Sequence, residues 1–183
     1  MNHVMLDLET MGQGSNAAIV AIGAVFFEPT TGSIGASFYQ KVDLESAAKF
    51  GNIDPSTIIW WLKQSDAARA EITSNDTLDL PYALSEFSEW IAQIEKTNNR
   101  IVWGNGASFD NVILSNAYAA TSLAKPWAYW NDRDVRTVVE LGKTLKGFDP
   151  KKHMPFLGTT HNALDDAIHQ AKYVSAIYQQ LAK

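Results

Sequence analysis

The sequence predicts an α/β fold: a three-stranded antiparallel meander, then helices alternating with further strands, all around one mixed sheet. Three observations predict it. Residues 17–29, AAIVAIGAVFFEP, are apolar almost throughout, as a central strand is. The turn TTGS at 30–33 joins that run to another strand-like segment, IGASFYQKV at 34–42. Beyond residue 54, helix-start signals alternate with short strand-like runs.

Taken in order, the first strand opens at His3-Val4-Met5-Leu6, where apolar residues dominate and no helical period fits. Gly12-Gln13-Gly14 makes a polar turn into the central strand. Asp54-Pro55 reads as an N-cap followed by proline at the first helical position, opening STIIWWLKQ; Ser65 caps a second short helix, DAARAEI. Asp79, Leu80 and Pro81 start a longer helix with Leu84, Phe87, Ile91 and Ile94 on one face. RIVWGNG at 100–106 is a strand ending in glycines, followed by a helix from about Phe109 to Ala120. A short strand is expected at WAYW, 127–130, and Asp134 caps VRTVVELGKTL. Residues 146–160 read as a Gly/Pro/Lys loop, and a last helix runs from about Asn162 to Leu181. With no repeat or linker, residues 1–183 are expected to form a single domain.

The chemistry-bearing residues begin in MLDLETMG, 5–12. On a strand, side chains two apart share a face, so Asp7 and Glu9 sit together while Val4, Leu6 and Leu8 turn to the other side. Two half-buried carboxylates repel and lose hydration, so they call for a positive partner. Asp110, in GNGASFDN, stands at the opening of a helix just after a strand, where ligand sites of α/β sheets lie. A third group is HNALDDA, 161–167. There Ala163, Ala167, Ala171, Val174, Tyr178 and Leu181 form a packing stripe. At roughly 100° per residue, Asp166 lies about 95° from its centre and Asp165 about 165°. Asp166 is thus the candidate site residue, and Asp165 is expected to face solvent.

Asp7, Glu9, Asp110 and Asp166 are hard oxygen ligands suited to two divalent cations, Mg²⁺ or Mn²⁺, and the chain has no cysteine for a thiolate site. Such a pair of ions stabilises the attacking and leaving oxygens of phosphodiester hydrolysis, with His161 placed to act as general base. The net charge of −5 argues against a nucleic-acid partner only until two bound ions cancel four of the acids. An acid pair could also serve a glycosidase, but neighbours at i and i+2 lie too close to flank a sugar. No apolar run reaches the roughly 20 residues that cross a bilayer. With no secretion signal, a cytoplasmic protein is expected.

Asp7-Leu8-Glu9-Thr10, Ser108-Phe109-Asp110 and H-x-A-x-x-D at 161–166 resemble, in order and spacing, the three motifs of the DEDDh 3′→5′ exonucleases. The resemblance implies a ribonuclease-H-like fold, two divalent metals, and release of nucleoside 5′-monophosphates. It carries the metal-binding role onto Asp7, Glu9, Asp110 and Asp166, and the base onto His161. Residues 53–69, IDPSTIIWWLKQSDAAR, resemble a narrower branch of exonuclease VIII-like phage and prophage enzymes and a mycobacterial exoribonuclease. The implied partner is single-stranded or 3′-overhanging DNA or RNA, with a homodimer left open. Thr10 and Met11 would line the 3′-terminal nucleotide, Met11 either wedging against a base or simply packing. Trp60 and Trp61 point about 100° apart, so one belongs to the core and the other is free to stack on a base; Trp61 is assigned to the substrate. Phe109 lies beside Asp110, as core beneath the metals or as a substrate contact.

Overall fold

The computed structural model describes all 183 residues. Three antiparallel strands come first: β1 (His3–Thr10), β2 (Ile19–Glu28) and β3 (Ser33–Lys41). Two short parallel strands, β4 (Ile101–Gly104) and β5 (Asp132–Asp134), complete a sheet of order β3-β2-β1-β4-β5. β2 is buried on both faces, as its unbroken apolar run requires. β3 and β5 form the edges and carry the exposed or charged residues, which discourages edge-to-edge pairing.

The helices are α1 (Leu44–Ala47), α2 (Pro55–Leu62), α3 (Asp66–Ile72), α4 (Leu80–Ile91), α5 (Asp110–Ala120), α6 (Val135–Lys146), α7 (Pro150–His153) and α8 (Ala163–Leu181). They cover both faces of the sheet. Val4, Leu6 and Leu8 of β1 enter a large core with α4, α5 and Trp61. Met5, from the opposite face, joins a smaller core with Trp103 and the alanine stripe Ala167 and Ala171 of α8. The strand alternation of β1 therefore puts Asp7 and Glu9 on the α8 side. No helix is long and apolar enough to cross a membrane.

Most helix starts follow their local signals. Ser65 caps α3 through Ala68 N–H, Asp134 caps α6 through Arg136 and Thr137, and Asn162 caps α8 through Leu164 and Asp165. Asp54 occupies the cap position of α2, yet its carboxylate accepts from Gln13 N–H at 2.7 Å instead. That bond docks α2 onto the turn after β1. Two expectations change, and one short helix was not anticipated. WAYW is not a strand: Trp127 is drawn into the core, Tyr129–Asn131 turn as a 3₁₀ segment, and the strand begins at Asp132. The 146–160 loop contains α7, capped by Asp149 ahead of Pro150. The four-residue α1 gave no apolar period to read; Asp43 caps it.

Candidate active site

Two close approaches assemble the site. Gly23 of β2 pairs with Asp7 across the ladder. A Cβ there would lie 2.2–2.4 Å from the backbone of Ala163 and Leu164, so only glycine lets α8 begin directly on the sheet. Gly104 ends β4, and a Cβ on it would stand 2.6 Å from Asn111 Oδ1 and 3.0 Å from Asp110 Cβ. The chain can therefore fold straight back into α5. Between these contacts, α8 and α5 bring Asp166 and Asp110 to the end of β1. There a register shift between Glu9 and Thr10 bends the strand out of the ladder, as bulges beside functional sites do.

Glu9 and Asp110 are buried; Asp7, Asp166 and His161 are partly buried. Asp110 accepts from Leu8 N–H at 3.2 Å and Asn105 N–H at 2.8 Å, satisfying a β1 donor beyond the paired part of β4. Asp166 accepts from His161 N–H at 3.0 Å. Gln170, one turn further along α8, donates to Asp7 Oδ1 at 2.7 Å. One nitrogen of His161 and one oxygen each of Glu9 and Asp166 lie within 4.8 Å of one another.

None of the three ion pairs of the structure involves these acids. Their protons are held accordingly. Burial, reinforced by the charges of Asp110, Glu9 and Asp166, raises Asp7 well above the usual carboxylate range, against the Gln170 hydrogen bond. Glu9 is pushed up to about 8 by burial and then by Asp166 and Asp110. Burial lifts Asp110 to about 6, restrained by its backbone N–H donors and the charge of Arg136. Asp166 is raised by burial and eased by His161. Four carboxylates compressed in this way suit hard cations, which would supply the missing charge.

His161 has φ 64°, a left-handed conformation that a non-glycine residue holds only when its surroundings enforce it. Its ring meets Trp60 edge to face at 4.9 Å between centroids and Trp61 at 6.1 Å. Beside it, a cavity of about 210 Å³ is lined by Glu9, Thr10, Gly12, Thr57, Trp60 and Phe109, among others.

The structure thus brings together Asp7, Glu9, Asp110, Asp166 and His161, and places Thr10, Trp61 and Phe109 at the adjoining cavity. Met11 is not there. It is buried in the main core, where its backbone bonds to Ala18 and Asp54 hold it inward rather than toward the turn. Of the tryptophan pair, Trp61 is the core member, 2% exposed, its indole N–H donating to Thr10 C=O at 3.0 Å; Trp60 presents the freer ring, 41% exposed. Asp165 does not simply face solvent, because its carboxylate accepts from Thr159 N–H at 2.8 Å and braces the loop that carries His161. Two residues escaped sequence reasoning. Gln170 was detectable as the i+4 neighbour of Asp166. Thr57 was not; its buried hydroxyl has no partner in the protein and lines the cavity.

The 3'-5' exoribonuclease Rv2179c-like domain family matches residues 2–178. The chain belongs to that family. It is a 3′→5′ exonuclease. It is also 29% identical to the exodeoxyribonuclease of Enterobacteria phage T4 over 163 residues, covering 74% of this chain and 70% of the phage protein. The fold is shared with the nuclease domain of 3'hExo, a DEDDh family member bound to rAMP. That likeness has a TM-score of 0.64 at 16% identity, over 97% of this chain and 91% of the other. It is also shared with S. pombe Pop2p in a form binding Mg²⁺ and Mn²⁺, at a TM-score of 0.63 and 12% identity, over 96% and 82% of the two chains. This likeness establishes the ribonuclease-H-like architecture expected from the motifs.

Proposed function

We propose that this exonuclease hydrolyses the 3′-terminal phosphodiester of single-stranded or 3′-overhanging RNA or DNA and releases nucleoside 5′-monophosphates. In this reading Asp7, Glu9, Asp110 and Asp166 hold two divalent cations, Mg²⁺ or Mn²⁺. The observation that carries it is the convergence of four acids from three distant segments with no cationic side chain paired to them. Bound cations would neutralise that cluster and stabilise the charge on the attacking and leaving oxygens.

The chain's own groups account for the rest. His161, within reach of Glu9 and Asp166, takes a proton from the attacking water. Asp166 holds the His161 backbone, and the two indoles pack edge to face against the imidazole. Gln170 fixes the rotamer of Asp7 by its hydrogen bond. The 3′-terminal nucleotide occupies the cavity between β1 and α2, where Trp60 and Phe109 offer aromatic faces and the unpaired Thr57 hydroxyl offers a hydrogen bond. The family match and the phage relative name opposite sugars, which supports a pocket that accepts either.

The test is 5′-end-labelled single-stranded RNA, single-stranded DNA and duplex DNA, each incubated with Mn²⁺ or with EDTA. A ladder shortening from the 3′ end, mononucleotide products, and no reaction in EDTA are expected. Ready nicking of a circular single strand, or activity surviving exhaustive chelation, would refute the proposal.

A further inference from the structure

The net charge conceals a strong asymmetry. Residues 133–183 contain eight of the fifteen lysines and arginines but only five of the twenty acids. Those five are mostly engaged: Asp134 and Asp149 cap helices, Asp165 braces a loop, and Asp166 is in the site, leaving Glu140. Three of the eight basic residues line a second cavity, of about 440 Å³, between α6, α7 and α8. Arg136 and Lys143 share one face of α6, seven residues apart, and Lys151 faces them from α7. Glu140 lies in the same wall, and Lys143 stands 3.5 Å from Asp149.

This cavity continues the catalytic centre. Asn105, on its rim, donates its backbone N–H to Asp110, and Arg136 Nε approaches Asn105 Oδ1 at 3.4 Å. At the junction sits Tyr173, only 7% exposed. It lies two turns along α8 from Asp166, about 10 Å at 1.5 Å per residue. Tyr173 lines the cavity, and its hydroxyl feels the charges of Asp7, Asp166, Arg136 and Asp110. A phenol hydroxyl that reaches the cavity can donate to an acceptor there.

Resting on the exonuclease reading, we propose that this cavity is the track for the strand 5′ of the scissile bond. Tyr173 and Arg136 receive the first phosphates beyond the reacting one, and Lys143 and Lys151 receive those further upstream. The 3′-nucleotide pocket and this basic groove then lie on opposite sides of the carboxylates. Short substrates would use the pocket alone, and longer strands would use both.

The test compares Lys143→Gln/Lys151→Gln and Tyr173→Phe with the intact protein, using a dinucleotide and a 12-nucleotide strand. Tyr173→Phe keeps the ring in its core and removes only the hydroxyl. Strand binding is followed by anisotropy of a 5′-fluorescein 12-mer in EDTA across a salt series, and hydrolysis of both substrates in Mn²⁺. Each lysine that contacts a phosphate adds about 0.7 to the slope of log affinity against log salt on a single strand. The double variant should therefore lose about 1.4 from that slope, and its kcat/KM on the 12-mer should fall about tenfold or more. Its dinucleotide hydrolysis should be unchanged. Tyr173→Phe should lower kcat/KM on the 12-mer several-fold, with the salt slope kept. An unaltered slope in the double variant, or an equal loss on dinucleotide and 12-mer, overturns the groove. If the intact protein binds the strand with a slope the lysines control yet hydrolyses nothing, the groove stands and the exonuclease reading fails.

Discussion

Replacing Glu9 by Gln should stabilise the metal-free protein, and the gain should depend on pH. Glu9 ordinarily titrates near 4.5 but is pushed up to about 8 in the fold by burial and by Asp166 and Asp110. Because the folded value is the higher one, the sign is unusual for a carboxylate. Unfolded chains release this proton near pH 4.5 while folded chains hold it to about pH 8, so stability is lost as pH rises through that window. At pH 7 the difference corresponds to about 3 kcal/mol. Gln resembles the protonated acid in shape and never ionises, so it escapes the loss. At about 2–4 °C per kcal/mol for a chain of this size, Glu9→Gln should melt roughly 6–12 °C above the intact protein at pH 7 in EDTA. The gap should close near pH 4. Adding Mn²⁺ should raise the melting temperature of the intact protein more than that of the variant, because binding to the folded state alone stabilises it. Calorimetric melting at pH 4, 6 and 8, with and without metal, reads all of this. A variant no more stable than the intact protein at pH 8 in EDTA, or a gap independent of pH, would refute the account of the carboxylate cluster.

Asp166→Asn should reduce single-turnover hydrolysis by orders of magnitude, whereas Asp165→Asn, which keeps an oxygen for Thr159 N–H, should retain most activity. Equal losses in the two would remove the distinction between them. His161→Asn suits the left-handed backbone that asparagine also tolerates. It should fold normally, lose roughly 10²–10⁴-fold in rate, and recover partly toward pH 9 as hydroxide replaces the base. A rate equal to the intact enzyme's at pH 7 excludes His161 as the base. Trp60→Ala should raise KM with little change in melting temperature, while Trp61→Ala, which empties a buried core position, should destabilise by about 3–5 kcal/mol. Denaturant unfolding beside steady-state kinetics separates these two outcomes.

The strands and capped helices were legible because their signals are local: an unbroken apolar run in β2, and Ser65, Asp134 and Asn162 ahead of their helices. The convergence of the five candidate site residues was legible because strand parity and the position of Asp166 on its helix fix which way the acids point. What local signals could not reveal is contact between distant segments. Asp54 leaves its own helix to hold Gln13, Met11 is pulled inward by bonds to Ala18 and Asp54, and Asp165 is occupied by Thr159. The adjacent tryptophans carry the same hydrophobic signal, and only the docking of α2 on Thr10 distinguishes them. WAYW misleads because aromatic residues favour both strands and cores.

The dependence of the site on α8 resting against Gly23 also sets when a growing chain becomes a nuclease. Asp7 and Glu9 are made first, and His161 and Asp166 follow about 150 residues later. At about 5–20 residues per second, that interval lasts roughly 8–30 s. Throughout it the sheet lacks the helix that covers Met5, Val25 and Phe27, and the acids of β1 lack His161, the proposed base. In the proposed mechanism, nucleolytic competence thus waits until α8 closes over the sheet. A ribosome-bound fragment stopping short of His161 would hold only part of the proposed site.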